Sequence, residues 1–281
     1  RERRMRAGAL TLASPEVKFE LERETSDPLD MGMYVTRETN KVVEEMMLLA
    51  NETVAKFIYE KGFTRSALLR RHPVPTEAMF APLIRACQAA GLTMDVSSSR
   101  ALADSLDAAG RALKGKDAYL DTLLRFMATR CMTQAEYFSS GEVSQPGFHH
   151  YGLAMPFYTH FTSPIRRYAD LVVHRQLAAC IGLQDPPAEL CESAQVGAQC
   201  ELLNTKHRNA QLASRASAEL YTLVFFRDKP TVCAARVVKV RPEGVVCFVP
   251  KFGIEGPVKV CLSCLLTHSL TYLLTYLLTN L

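Results

Sequence analysis

The sequence predicts an α+β chain, mainly helical, that closes on a short β meander. Three observations predict it. Apolar residues recur at helical spacing across 36–61, 117–138 and 188–226. Val17, Phe19 and Leu21 alternate with Lys18, Glu20 and Glu22, the strand period. From 231 to 260 a valine-rich run is punctuated by Gly and Pro, as short strands are. The 281 residues suffice for one large or two modest domains, and 48% hydrophobic with 22% charged content predicts a packed core and excludes a disordered chain. A net charge of +4 is compatible with a nucleic-acid partner, but local clustering of charge says more than the sum.

Residues 1–35 read as a short basic helix end followed by strands. Leu10–Leu12, a Ser14-Pro15 turn and Val17–Leu21 form an expected hairpin. The helix over 36–61 carries Val43, Met46, Met47, Ala50, Val54, Phe57 and Ile58 on its apolar stripe, with Gly62 as a stop. Glu44 and Glu45 sit beside that stripe. They are either solvated carboxylates, the norm for a helix surface, or one of them points into a substrate groove. Residues 71–84, with three prolines, read as an extended linker entering a helix, and 99–112 and 117–138 read as helices. Residues 139–147 are a polar loop.

The stretch Tyr158–Leu177, YTHFTSPIRRYADLVVHRQL, holds the densest chemistry. Ser163 followed by Pro164 predicts a helix start, with serine as N-cap and proline in the first turn. Tyr168, Leu171 and Val172 then share a face. Arg166 and Arg167 fall at the third and fourth helical positions, where the positive end of the helix dipole opposes them. An anion explains their presence: free N–H groups, the Thr162 and Ser163 hydroxyls and an arginine fork make a phosphate site. The competing reading is that both arginines are solvated or pair with Asp170. His149, His150 and His160 lack metal-ligand spacing and read as structural histidines.

Along 188–226, Lys206, His207, Arg208 and Arg215 give a basic face, which either meets solvent or faces a nucleic-acid groove. Strands are expected at 231–240, 245–249 and 254–260. Phe248 and Phe252 either stack bases, as aromatics do in small barrels that bind single strands, or fill the barrel core. Nine scattered cysteines offer a single C-x-x-C, Cys261 with Cys264, and no second pair for zinc; they read as reduced thiols of a cytosolic or nuclear protein. RERRMR is no secretory signal, and a start without methionine points to a piece of something longer. Residues 261–281 are an uncharged low-complexity repeat whose hydroxyls weigh against a membrane span.

The run FHHYGLA followed by YTHFTSPIRRYADLVVHRQL resembles the signature of the ribonuclease II superfamily. GALTLASPEVKF, ETNKVVEEMMLLAN, ALLRRHPVP and VPKFGIEG extend the resemblance from about residue 7 to about 260, and narrow it to the exosome-type 3′-to-5′ exoribonucleases. The resemblance implies that 1–228 is the C-terminal part of a ribonuclease II-type catalytic domain, 229–260 a partial S1 module of oligonucleotide-binding type, and 261–281 a tail. It implies hydrolysis of single-stranded RNA from the 3′ end with Mg2+, an association with the RNA exosome core, residence in nucleus and cytoplasm, and no membrane.

By position, Arg166 matches the arginine that contacts the scissile phosphate, and Glu44 or Glu45 the glutamate that holds the 3′-terminal nucleotide. Thr162, Ser163, Arg167, Tyr168, Arg215 and Phe252 complete the expected substrate-binding set. The family's metal-binding aspartates lie in a D-rich motif N-terminal to everything in this sequence, which has no such motif; Asp27 and Asp30 sit in a different segment, T-S-D-P-L-D. A non-catalytic RNA-binding or scaffold role is therefore the alternative reading.

Overall fold

The structure is a computed structural model that describes residues 1–12, 17–24, 27–33, 37–115, 118–227, 229 and 231–259. In chain order the elements are α1 (Glu2–Arg6), β1 (Val17–Leu21), β2 (Pro28–Met33), α2 (Glu38–Lys61), β3 (Leu68–Arg71), α3 (Glu77–Ala89), α4 (Ser99–Leu113) and α5 (Ala118–Arg130). There follow β4 (Glu136–Ser139), α6 (Tyr168–Cys180), α7 (Ala188–Cys191), α8 (Ser193–Phe226), β5 (Arg236–Arg241), β6 (Gly244–Val249) and β7 (Ile254–Lys259). This is the mixed, mainly helical chain with small antiparallel sheets that the periodicities predict.

The chain forms two compact units, Arg1–Ala13 with Arg37–Asn209, and Ser14–Thr36 with Ala210–Leu281. Among the described residues, the first has two large hydrophobic centres and a small one of Leu48, Met155 and Tyr158. One gathers Ile58, Phe63, Leu68, Leu69, Phe138, Phe148, Val172 and Val173 around the β3–β4 pair. The other gathers Phe80, Leu83, Leu102, Leu106 and Leu124 from α3, α4 and α5. Gly8 is required where it stands: its φ is 97°, and a Cβ there would lie 2.7 Å from the Arg100 backbone nitrogen.

The second unit pairs β1 with β2 and runs β5-β6-β7 as an antiparallel meander. Every residue of the central strand β6 is buried, whereas the edge strand β5 presents Arg236, Lys239 and Arg241 outward. Charged edges discourage pairing with another chain.

Four expectations are corrected. The partner of β1 is β2, with Val17 opposite Met33, not Leu10–Leu12; Leu10 and Leu12 instead pack against the α3–α5 centre. The helix expected over 117–138 ends at Arg130, and Glu136–Ser139 pairs with β3 as a strand. Long-range pairing takes that segment because Tyr137 and Phe138 favour an extended backbone and have Leu69 and Arg70 to lie beside. Pro82 lies inside α3 and not in a linker. Finally, α6 starts at Tyr168, not at Ser163, for a reason given below. The Ser14-Pro15 turn and the tail, with Cys261 and Cys264, lie outside the described residues. Among the described residues, no helix is long and apolar enough to cross a membrane.

A candidate phosphate site on a buried strap

The segment from Tyr158 to Arg167 is a strap laid across α2, β3 and α6 and tied down by buried polar side chains. Asn51, in the buried phase of α2, donates from Nδ2 to Tyr158 Oη at 3.0 Å and accepts the Phe161 N–H on Oδ1 at 3.0 Å. Thr159 Oγ1 donates to the Leu68 carbonyl at 2.7 Å, and the Arg70 N–H donates to the Tyr158 carbonyl at 2.8 Å. Gln176 of α6 reaches the same strand, donating to the Ser66 carbonyl at 2.7 Å and accepting the Leu68 N–H at 3.1 Å. His174 stacks on Phe161, ring centroids 4.3 Å apart. Each tie satisfies a polar group that burial would otherwise leave unpaired.

At the end of the strap the chain makes a turn over Pro164–Arg166 before α6 begins. The N–H groups of Arg166 and Arg167 both donate to the Ser163 carbonyl, at 3.2 and 3.1 Å. Ser163 therefore does not cap the helix through its side chain. Its N–H donates to Asp170 Oδ1 at 2.7 Å. Arg167 closes on the same carboxylate, Nε to Oδ2 at 2.7 Å and Nη2 to Oδ1 at 2.8 Å. Asp170 is fully buried, so this bidentate pair holds the turn against α6. The expected phosphate fork thus divides: Arg167 serves the protein, and the turn projects Ile165 and Arg166 to solvent, Ile165 being 97% exposed. Among the described residues no carboxylate pairs with Arg166. Tyr168 is exposed in the next half-turn, and Thr162 Oγ1 is buried with no hydrogen-bond partner.

Behind the strap lies a cluster that sequence reasoning missed. Arg70 is 7% exposed, with its guanidinium 4.5 Å from the Tyr137 ring centroid. Tyr137 Oη lies 2.6 Å from His160 Nδ1. Burial, with the Arg70 and Arg167 charges adding to it, pushes the His160 pKa down to about 2, so the imidazole is neutral. Burial raises the Tyr137 phenol, so two neutral groups share this hydrogen bond. Burial likewise takes His150 to about 3. The signal for these residues was faint: an Asn inside an apolar stripe, and an R-R-H run whose last two residues open the segment, 71–84, read as a linker.

The remaining expected site residues are spread. Glu45 Oε1 lies 2.5 Å from Arg4 Nη2, and the Glu44 carboxylate 3.7 Å from it. The hydrogen bond from Arg4 holds Glu45 below its ordinary pKa. Glu45 lines a cleft of about 590 Å³ with Arg4, Met46, Leu49, Met155 and Pro156. No bond among the described residues joins either glutamate to Arg166. Arg215 is exposed on the part of α8 that belongs to the second unit. Phe252, in the same unit, is 5% exposed and packs edge-on against Phe226 at 5.2 Å, so it fills a core and has no open face for a base.

The described residues do not fit a divalent metal. No group of three or more His, Cys, Asp or Glu converges among them. Both Asp170 oxygens are spent on Arg167 and Ser163, and Asp30 Oδ1 accepts the Met31 N–H. What the geometry offers is an exposed cation on a turn held by an ion pair.

Comparison with known proteins places the chain. The RNB domain model matches residues 1–182, and the chain belongs to that family. It is 58% identical over 92% of its length to the exosome complex exonuclease RRP44 homolog A of Arabidopsis thaliana, and 48% identical over 92% to the human exosome complex exonuclease RRP44. It spans only about a quarter of those relatives, 27% and 26% of their lengths. Among solved structures, Mycoplasma genitalium RNase R superposes with a TM-score of 0.78 at 21% identity, over 92% of this chain and 39% of that one. Yeast Ssd1, described as a pseudonuclease, superposes with a TM-score of 0.64 at 31% identity, over 78% of this chain and 26% of that one.

Proposed function

We propose that the protein to which this chain belongs is an exosome-type 3′-to-5′ exoribonuclease acting hydrolytically on single-stranded RNA, and that this chain supplies a phosphate-contacting part of its RNB domain. The observation that carries the reading is the division of labour in S-P-I-R-R: Arg167 and Asp170 lock the turn, and Arg166 is exposed with no carboxylate paired to it among the described residues. A fixed cation of this kind stabilises charge developing on a phosphate without reorganising. Tyr168 and Thr162, beside Arg166 in the chain, extend the contact. Glu44 or Glu45 would serve the terminal nucleotide from the neighbouring cleft.

In this reading 1–228 belong to the catalytic domain, 229–260 begin an S1 module and 261–281 form a tail. A divalent metal, magnesium by the family resemblance, belongs to the whole enzyme, and the residues described here do not hold it. The likeness to proteins named as exosome complex exonucleases supports RNA degradation at the exosome; rRNA processing and residence in nucleus and cytoplasm rest on the family resemblance alone. One observation favours a second reading, a non-catalytic RNA-binding or scaffold role: the likeness to a protein described as a pseudonuclease.

A 5′-labelled single-stranded RNA, incubated with magnesium and resolved on a sequencing gel beside a binding titration, separates the two. With the full-length protein the first reading expects a ladder collapsing to a short end product. Binding without shortening would establish the second. For this chain alone, binding without shortening is the expected result, and shortening would show that carboxylates here hold a metal after all.

A further inference from the structure

Two helices grip the strap at Phe161. Its N–H donates to Asn51 Oδ1 of α2 at 3.0 Å, and its carbonyl meets His174 Nε2 of α6 at 2.9 Å. A carbonyl only accepts, so Nε2 carries the proton and donates. The His174 ring also stacks on the Phe161 ring, with the planes 15° apart. Asn51 spends the other end of its amide on Tyr158 Oη, further back along the strap. Ahead of Phe161, Asp170 takes the Ser163 N–H. Asp170 and His174 lie one turn apart on α6, about 5.4 Å, and Ser163 and Phe161 lie at most about 7 Å apart along the strap. One turn of helix therefore meets this piece of strap at both its ends, and the backbone that enters the Pro164–Arg166 turn is held at successive points. Asn51 stands on the same helix as Glu44 and Glu45, which lie about 10 Å from it along the axis. The Phe161 peptide is thus a joint between the helix with the two glutamates and the turn with Arg166.

We propose that His174 is a positioning residue for Arg166, acting with Asn51 through the Phe161 peptide. The clamp holds the strap in register with α2 and so sets the span between the two glutamates and the cation on the turn. The proposal rests on the RNA reading above for what that span measures, the distance from the terminal nucleotide to the phosphate being cleaved. His174 itself touches no substrate. The Arg167–Asp170 pair fixes the turn on α6 alone; the clamp adds the tie to α2 that the pair does not supply. A displacement of about 1 Å at a reacting group costs on the order of 10²-fold in rate, so a loosened clamp is felt in turnover before it is felt in binding.

The test uses the full-length protein and a 5′-labelled single-stranded oligoribonucleotide. His174→Phe keeps a ring over Phe161 and removes the donor, whereas His174→Gln places an amide N–H where Nε2 was. His174→Phe is expected to lower kcat on the order of 10²-fold with RNA affinity within severalfold, and His174→Gln to keep most of the turnover. In an Arg166→Ala background His174→Phe should cost little more, because it acts through Arg166. Losses that multiply in the double variant, or a His174→Gln protein as slow as His174→Phe, overturn the proposal. Should His174→Phe not fold, Tyr158→Phe, which takes one hydrogen bond from the Asn51 side of the clamp, carries the same cycle: coupling to Arg166→Ala supports the proposal and multiplied losses overturn it. If the full-length parent binds RNA without shortening it, the exonuclease reading falls, and the cycle is read on the slope of log affinity against log salt, to which one single-strand phosphate contact gives about 0.7. A slope that His174→Phe lowers only when Arg166 is present keeps the positioning role, and a slope that it leaves unmoved overturns it. A parent that neither binds nor shortens RNA overturns both.

Discussion

Arg167 closes a two-point ion pair on the fully buried carboxylate of Asp170, at 2.7 and 2.8 Å, and by doing so fixes the direction in which its neighbour Arg166 leaves the surface. The third acceptor site on Asp170 takes the Ser163 N–H, so one carboxylate joins the strap, the turn and α6.

Breaking that pair from one side leaves a buried charge uncompensated. Asp170→Ala and Arg167→Ala are each expected to cost roughly 3–5 kcal/mol. Urea unfolding of the chain would read this directly. A loss below about 1 kcal/mol, the level of an exposed pair, would mean that the turn is held by something else.

Arg166→Ala is expected to leave stability within about 0.5 kcal/mol, as surface changes do. In the full-length enzyme it should leave RNA affinity within severalfold while turnover collapses. Equal losses in affinity and turnover would make Arg166 a binding group and not a group acting on the transition state.

Asn51 carries both ends of a bridge from α2 to the strap. Asn51→Leu removes two hydrogen bonds and leaves the Phe161 N–H buried without a partner. A cost of about 2–3 kcal/mol is expected, with amide exchange at Phe161 accelerating more than in the α4–α5 region. Uniform acceleration across the chain would contradict a local tie.

Phe80 is 1% exposed in the second hydrophobic centre. Phe80→Ala should destabilise by about 3–5 kcal/mol through the cavity it leaves. Among the described residues its cluster holds no candidate site residue, so Arg166 chemistry should survive wherever the fold does.

His150 and His160 set the expected pH dependence. Their folded pKa values, about 3 and about 2, lie below the unfolded value near 6.5, so below that pH the unfolded chain binds more protons. Stability from this source is complete above pH 6.5 and is lost as the pH falls toward the folded values. Between pH 7 and 5 the loss should reach about 2 kcal/mol for each histidine. His160→Gln should flatten the urea midpoint against pH only in part, since burial also lowers His72, His149 and His207. An equally steep profile in that variant would place the dependence elsewhere.

Local pattern made most of the helices legible. Apolar residues of α2, α4 and α5 repeat at the helical period, and a helix needs only its own backbone for its hydrogen bonds, although Val43 and Met46 of the expected α2 stripe are exposed and the buried face runs through Leu48, Asn51, Ala55 and Ile58. The strands of the meander were readable in the same way, though β6 proved buried on both faces. What failed were segments whose state depends on a distant partner. Glu136–Ser139 continues a helical pattern but is a strand because β3 is there to pair with it. The partner of β1 lies on the far side of an unremarkable turn.

The candidate site shows the same boundary at finer scale. Sequence alone determined that T-S-P-I-R-R concentrates positive charge at a chain turn, and its motif was specific enough to bring the family with it. It offered Asp170 as a partner but left undecided whether the pair forms. Only the tertiary structure decided that Arg167 is consumed by Asp170 and Arg166 is not, because burial of that carboxylate is a property of α6 packed on α2 and β3. It also decided that Phe252 fills a core and that Arg70, just ahead of the segment read as a linker, is a buried charge on β3. Spacing fixes which residues are near one another along the chain, whereas the dielectric around each of them, and therefore whether a charge is paired, free or stranded, is set by everything folded on top of it.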